Sequence, residues 1–306
     1  MADMAPAELY RLEPDRPELD RPVLVQALSG FIDAGSAVRL AREHLLATLD
    51  HRVVATFDAD QLVDYRSRRP PMLFVEDHWE HYEEPQLVVR LVWDSVGVPF
   101  LLLDGPEPDV QWERFIAAVR AVVAQLNVRL TVGLNAIPMA VPHTRPVGVT
   151  AHATRKQLVS GFQPWVNTVT VPASVGHLLE YRLGQHGLDA IGFAAHVPHY
   201  VAQLEYPLSA AVLLESVTAV SGLSLPTDVL RTAAETVRGE IDAQVAQSPE
   251  VAAVVHGLEE QYDSFTSDHR DLLADPSARL PTADELGAEL ERFLSERHER
   301  GDSADG

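Results

Sequence analysis

The sequence predicts an α/β fold, a mixed but mostly parallel sheet, followed by an acidic all-helical extension. Three observations predict it. The chain opens with a strand–helix–strand pattern, Val23–Gly30, Asp33–His51 and Arg52–Ala59, which calls for a parallel sheet with crossover connections. Further apolar runs of strand length alternate with helical stripes as far as Gly222. Beyond Gly222 the strand-like runs stop and only stripes at helical spacing remain.

Residues 1–22 are polar and proline-rich and read as an extended arm. Val23–Gly30 is a continuous apolar run, the signature of a strand buried on both faces. Asp33–His51 carries Val38, Leu45, Leu46 and Leu49 at helical spacing, with Asp33 as its N-cap. Strand-like runs follow at Arg52–Ala59, Met72–Glu76, Gln86–Trp93 and Val98–Gly105. The last three are close in sequence, so some antiparallel pairing is expected. Val110–Leu126 is an amphipathic helix with Asp109 as its expected cap, and Leu130–Ile137 is another buried strand. Pro146–Thr154 and Trp165–Ala173 read as strands, Ser174–Gly187 as a helix stopped by glycine. Ala190–Tyr200 is a strand entering a turn, and Pro207–Gly222 is an apolar helix with proline in its first turn.

The expected division is a core domain at 1–222 and a helical extension at 223–306. Stripes at Pro226–Gln247 and Pro249–Phe265 predict a helical hairpin at about 226–265. Thr266–Pro281 reads as a linker, Ala283–Arg297 as a final helix, and the end as a frayed tail.

Composition narrows the function. The 306 residues include no cysteine, which excludes disulfides, thiolate nucleophiles and cysteine-held metals. The formal net charge is −21, and a field of that sign repels nucleic acid and anionic membranes. Neither is an expected partner. The segment from Leu225 to Gly306 holds 19 acidic and 7 basic residues. Lys156 is the one lysine, so chemistry that needs a lysine must use it. No run has the length of a signal-peptide core or a membrane span, and a cytoplasmic location is expected.

The motifs of the phosphate loop, dinucleotide fold, nucleophile elbow, zinc protease helix and calcium loop are all absent. No cofactor and no resident metal is expected. Four loops remain. Ser29–Ala37, SGFIDAGSA, joins a strand's carboxyl end to a helix start and carries Asp33, Gly35 and Ser36. It reads either as an anion site or as a capped helix entry. Asp104–Trp112 holds Asp109, as a site residue or as a cap in a rigid turn. Asn135–Gly148 is stiffened by prolines and presents His143, Thr144 and Arg145, a recognition element or a plain connection. His196–Tyr200, HVPHY, offers His196 and His199 three apart beside Tyr200. These histidines read as structural rather than metal-binding, as do those of His78–His81.

Taken together, SGFIDAGSA, the GPEPD loop, PHTRP with VPASVGH (Val171–His177), and HVPHYVAQLEYP (His196–Pro207) resemble the proteasome assembly chaperone 2 family, in its actinobacterial type. The likeness runs from about Pro22 to Gly222. It implies a three-layer α/β/α sandwich of the phosphorylase/hydrolase-like kind, without established catalytic residues. It also implies proteasome-like subunits as partners and self-association into a homo-oligomer. Several archaeal relatives dock through a C-terminal tail that Ser303–Gly306 does not match.

The leading expectation is a protein-binding module that assists assembly of a proteasome-like complex. A second is a small-ligand binder or hydrolase/phosphorylase-like enzyme. Its crevice would be lined by Asp33, Ser36, His143, Arg145, His196 and His199, with Arg145 holding an anion and a histidine acting as base. A third is a purely structural homo-oligomer.

Overall fold

The structure, a computed structural model, describes residues 8–163 and 168–274, with side chains up to Ser264. Among these residues ten strands form in chain order: β1 (Tyr10–Leu12), β2 (Val23–Ser29), β3 (His51–Phe57), β4 (Met72–Val75), β5 (His78–Tyr82), β6 (Val88–Trp93), β7 (Pro99–Pro106), β8 (Leu130–Met139), β9 (Val149–Ala153) and β10 (Ala190–Pro198). The helices are α1 (Ala37–Thr48), α2 (Trp112–Gln125), α3 (Val175–Gln185), α4 (Pro207–Ser221), α5 (Asp228–Ala246) and α6 (Pro249–Ala274).

Eight strands make one sheet in the order β1-β3-β6-β7-β2-β8-β10-β9. Parallel pairing occupies its centre, β7–β2–β8–β10. The flanking ladders, β1–β3, β3–β6, β6–β7 and β10–β9, are antiparallel. The sheet is thus parallel only where a helix spans the connection: the five residues between β6 and β7 are too few for a crossover.

Burial on both faces explains the unbroken apolar runs. Val23, Val25 and Ala27 of β2 face one core with α1, α4 and α5, while Leu24 faces the other with α2 and α3. Phe100 and Leu102 of β7 join the first core, Leu101 and Leu103 the second. The three layers are therefore helices, sheet, helices. Leu225, Leu230 and Ile241 carry the first core across α4 into the helical extension.

Several expectations need correction. The extended arm contains β1, which pairs with β3 as the sheet's outer edge. His78–His81, expected between strands, belongs to β5, which forms a separate two-stranded hairpin with β4. Both faces of that hairpin meet solvent, with Phe74 55% and Trp79 62% exposed. The described part of the expected strand at 165–173 is not a strand, because no neighbour offers a ladder, and Val169 and Val171 are exposed. The expected linker at 266–281 is helical through Ala274, as α6 continues. The final helix expected at 283–297 and the tail lie outside the described residues.

Candidate functional site

The connection leaving β2 runs through α1 on one face of the sheet, and the connection leaving β8 reaches β10 through α3 on the other. Where connections diverge in this way, open α/β sheets form their ligand crevices. A narrow cavity of about 40 Å³ lies there. Gln26 of β2, Gly133 of β8 and Gly176 of α3 line it, with Asn135, His177 and Glu107 as polar neighbours.

Glycines make this room. A Cβ on Gly176 would come 2.8 Å from Gln26 Oε1, and one on Gly192 would come 2.1 Å from His152 Cε1. The start of α3 is already served. Ser174 Oγ accepts the His177 N–H at 3.1 Å, and Glu107 Oε1 accepts the Val175 N–H at 2.5 Å. Burial pushes the Glu107 carboxyl up; the Val175 N–H and the Arg68 charge work against that rise. Burial, helped by the neighbouring His152, pushes the His177 imidazole down, so it stays neutral. Phe31 stands edge-on to His177 at 5.7 Å, and Asn135 Nδ2 is 3.5 Å from its Nε2. His152 Nδ1 pairs with Glu180 at 2.9 Å. The cavity can therefore hold a small polar group. Its one hydroxyl, that of Ser174, is engaged as a helix cap, so no hydroxyl–histidine pair lines the cavity.

Asp33 is the expected site residue that lines this cavity. It also caps α1 from a distance: Oδ1 accepts the Val38 N–H at 2.8 Å and Oδ2 the Arg39 N–H at 3.1 Å. Burial pushes its carboxyl up, and those two N–H groups oppose the shift. A short 3-10 turn at Ala34–Ser36 separates Asp33 from α1. In that turn Gly35 has φ +66°, and a Cβ there would sit 2.8 Å from Tyr206 Cβ. Gly35 N–H donates to Ala202 O and Gly35 O accepts the Tyr206 N–H, each at 2.8 Å. Ser36, also in the left-handed region at φ 52°, leads into α1. The loop after β2 and the turn after β10 are thus one packed unit.

Asp109 is not the cap of α2. Gln111 occupies that position with φ 58°. Asp109 Oδ2 instead accepts the Asp64 N–H at 2.8 Å, and Oδ1 lies 2.9 Å from Arg68. The attraction of Arg68 outweighs capping of a helix that starts three residues later.

His143, Arg145 and Tyr200 come together, but away from the cavity. His143 Nδ1 is 2.7 Å from Tyr200 Oη and Nε2 is 3.0 Å from Asp242. Thr144 donates to Glu259. Arg145 grips Asp263 at 2.8 and 2.6 Å and reaches Glu259 at 3.3 Å. Tyr262 Oη donates to Pro146 O at 3.3 Å. The PHTRP loop is clasped by the acidic faces of α5 and α6, so Arg145 is not placed to hold an anion in a shared crevice with Asp33. His199 stacks edge-on against Tyr200 at 5.4 Å. His196 points elsewhere: its Nε2 is 2.8 Å from Thr150 Oγ1, and burial pushes its imidazole down. Among the described residues no group of three or more His, Asp and Glu side chains could hold a metal ion, and no helix is long and apolar enough to cross a membrane.

Gln26, Glu107, Asn135, His152 and His177 were not legible as a set. One signal was available: Gln26 is the lone amide in an otherwise apolar buried strand, VLVQALS.

A family model described as the PAC2 family matches residues 27–245. A crystal structure of a Mycobacterium tuberculosis protein of unknown function is 51% identical with a TM-score of 0.81, covering 86% of this chain and 92% of that one. A Corynebacterium glutamicum protein of unknown function is 40% identical with a TM-score of 0.80, covering 84% and 97%. A Mycobacterium tuberculosis protein described as a proteasome-assembly chaperone homologue is 29% identical with a TM-score of 0.71, covering 76% and 99%. No curated protein matches the chain.

Proposed function

The chain belongs to the PAC2 family, and from that premise we propose that it is a protein-binding module that assists assembly of a proteasome-like complex. The observation that carries this reading is the likeness, along three quarters of the chain, to the proteasome-assembly chaperone homologue. Two features of the molecule support it. The loops at the sheet's carboxyl edge are spent on holding the fold: Asp33 caps α1, and His143 and Arg145 bind α5 and α6. Large apolar side chains instead stand in solvent on the β4–β5 hairpin, and exposed apolar groups close together mark contact surfaces more often than catalytic ones. By family analogy the working form is a homo-oligomer.

The test is reconstitution. Purified α-type and β-type core-particle subunits from the same organism are mixed with and without the full chain, and assembly is followed on native gels. Faster assembly, with the chain co-migrating with an intermediate, is expected. An unchanged time course with no co-migration at any ratio overturns the proposal.

A further inference from the structure

We propose that the cavity at the carboxyl ends of β2 and β8 binds a small uncharged molecule bearing a carboxamide, paired with the carboxamide of Gln26. This goes beyond the protein-binding role and does not depend on it.

The leading observation is an unpaired amide. Gln26 is 6% exposed and its side chain lines the cavity, yet its carboxamide makes no hydrogen bond among the described residues. The amide is not sealed in the core, since among the described residues the sealed side-chain polar atom without a partner is Arg114 Nε; it faces the open space of the cavity, where a water or a ligand can meet it. The surroundings are shaped to leave that amide open. A Cβ on Gly133 would approach Gln26 Oε1 to 3.3 Å and one on Gly176 to 2.8 Å, so any larger residue at 176 would press on it.

Size and charge then select the ligand. A cavity of about 40 Å³ holds about three waters or one head group of similar bulk. An anion is disfavoured, because Glu107, Asp33 and Glu180 stand on its walls and two N–H groups at the start of α3, those of Val175 and His177, already serve Glu107 and Ser174. A metal cation finds no set of three ligands among the described residues. What remains is a neutral group that both donates and accepts in one plane. Gln26 presents the complementary pair, an acceptor oxygen and an NH₂ donor. Glu107, on the same cavity's wall, offers Oε2 as a further acceptor, since Oε1 takes the Val175 N–H. The rim, where Ile32 is 47% exposed, leaves a way in.

The experiment is a titration of the full ¹⁵N-labelled chain with acetamide, with acetate and ammonium as parallel arms at matched ionic strength. The side-chain amide signal of Gln26 and the backbone signals of Gly176 and Gly192 are read. Acetamide is expected to give saturable shifts with a midpoint on the order of millimolar, as suits so small a ligand, and acetate and ammonium at least tenfold weaker ones. Gln26→Leu is expected to keep a cooperative thermal transition and to lose saturation. Gly176→Ala serves as the second variant should Gln26→Leu fail to fold, and is expected to weaken binding about tenfold or more, a change of about 1.4 kcal/mol or more. Shifts that never saturate mean that Gln26 is served by water only, and overturn the proposal. Equal midpoints for acetamide and acetate overturn it too, as does an unchanged titration in a folded Gln26→Leu or Gly176→Ala protein.

Discussion

His143 Nε2 lies 3.0 Å from Asp242 Oδ1, across 99 residues of sequence. The proton positions follow from the neighbour on the other side. Tyr200 Oη accepts the backbone N–H of His143 at 2.7 Å, which leaves its own proton for His143 Nδ1 at 2.7 Å. Nε2 then carries the imidazole proton and donates it to Asp242. Burial pushes the Tyr200 hydroxyl up, so it remains a donor over the whole physiological range. A single hydroxyl therefore holds a loop in its place and aims the imidazole at α5.

Replacing Tyr200 with Phe removes that hydroxyl and leaves the His143 N–H without its acceptor. His143 is only 3% exposed, so water does not readily take over. The expected loss is about 1–3 kcal/mol of unfolding free energy, read as a lower urea midpoint at unchanged slope. An unshifted midpoint would show that the Tyr200–His143 pair does not hold the loop.

The outer part of the clasp is electrostatic and half-exposed: Arg145 with Glu259 and Asp263. Exposed pairs of this kind contribute about 0–1 kcal/mol and are screened by salt. Arg145→Ala is expected to raise hydrogen exchange in α6 while β2 and β8 keep their protection. About 1 M salt is expected to act likewise on the unaltered protein. Equal loosening of helix and sheet would contradict a local role.

Acid should act on the same clasp. The Arg145 guanidinium holds the Asp263 carboxyl below the usual range, and the Thr144 hydroxyl, with His256 and Arg145, does so for Glu259. For depressed carboxylates the stabilisation is present above the unfolded values, about 4, and is lost as pH falls through the lower folded values. Exchange in α6 is therefore expected to rise below about pH 4, and an acid-insensitive α6 would reject this account.

Glu107 has the opposite sign. Burial raises its carboxyl in the folded state, so the native protein holds that proton at pH values where the unfolded chain has released it. Its contribution to stability therefore falls as pH rises through the window between the two values. Glu107→Gln keeps an acceptor for the Val175 N–H and removes the charge. The variant is expected to melt higher than the parent at pH 7 and to lose the advantage near pH 4. A lower melting temperature at both would refute the assignment.

The β4–β5 hairpin should be energetically separate from the core. Phe74 and Trp79 stack edge-on at 5.0 Å but touch solvent on the rest of their surfaces. Phe74→Ala is expected to cost less than about 1 kcal/mol. Phe193→Ala, at a position with 0% exposure, is expected to cost about 3–5 kcal/mol. Comparable costs in chemical denaturation would mean that the hairpin shares the core's cooperativity.

Local pattern carried the core elements. The run VLVQALS is β2, because a strand buried on both faces needs an unbroken apolar run, and the stripe from Val110 to Leu126 contains α2, because the face its periodicity marks is the buried one. Pattern failed where pairing is decided by a distant neighbour. Thr168–Ala173 alternates like a strand but finds no ladder, and β5 forms from HWEHY because β4 is available beside it. Asp109 has the right residue type for a cap and the wrong company, since Arg68 claims it. For the loop residues the sequence told location and not partner. His143 and Arg145 lie on the expected loop, but Asp242, Glu259 and Asp263 come from helices 99 to 118 residues further on. The cavity was least legible, because its glycines and its amide sit one or two to a segment on β2, β8, β10 and α3.

The place of β2 has a consequence for how the molecule is born. Its hydrogen-bonding neighbours are β7 and β8, and β8 ends at Met139, some 110 residues later. At about 5–20 residues per second of synthesis, this greasy segment waits on the order of ten seconds on the ribosome before both its edges can be closed. The chain therefore starts life needing protection of its own exposed strand, and slowing translation between Ser29 and Met139 should lower its soluble yield.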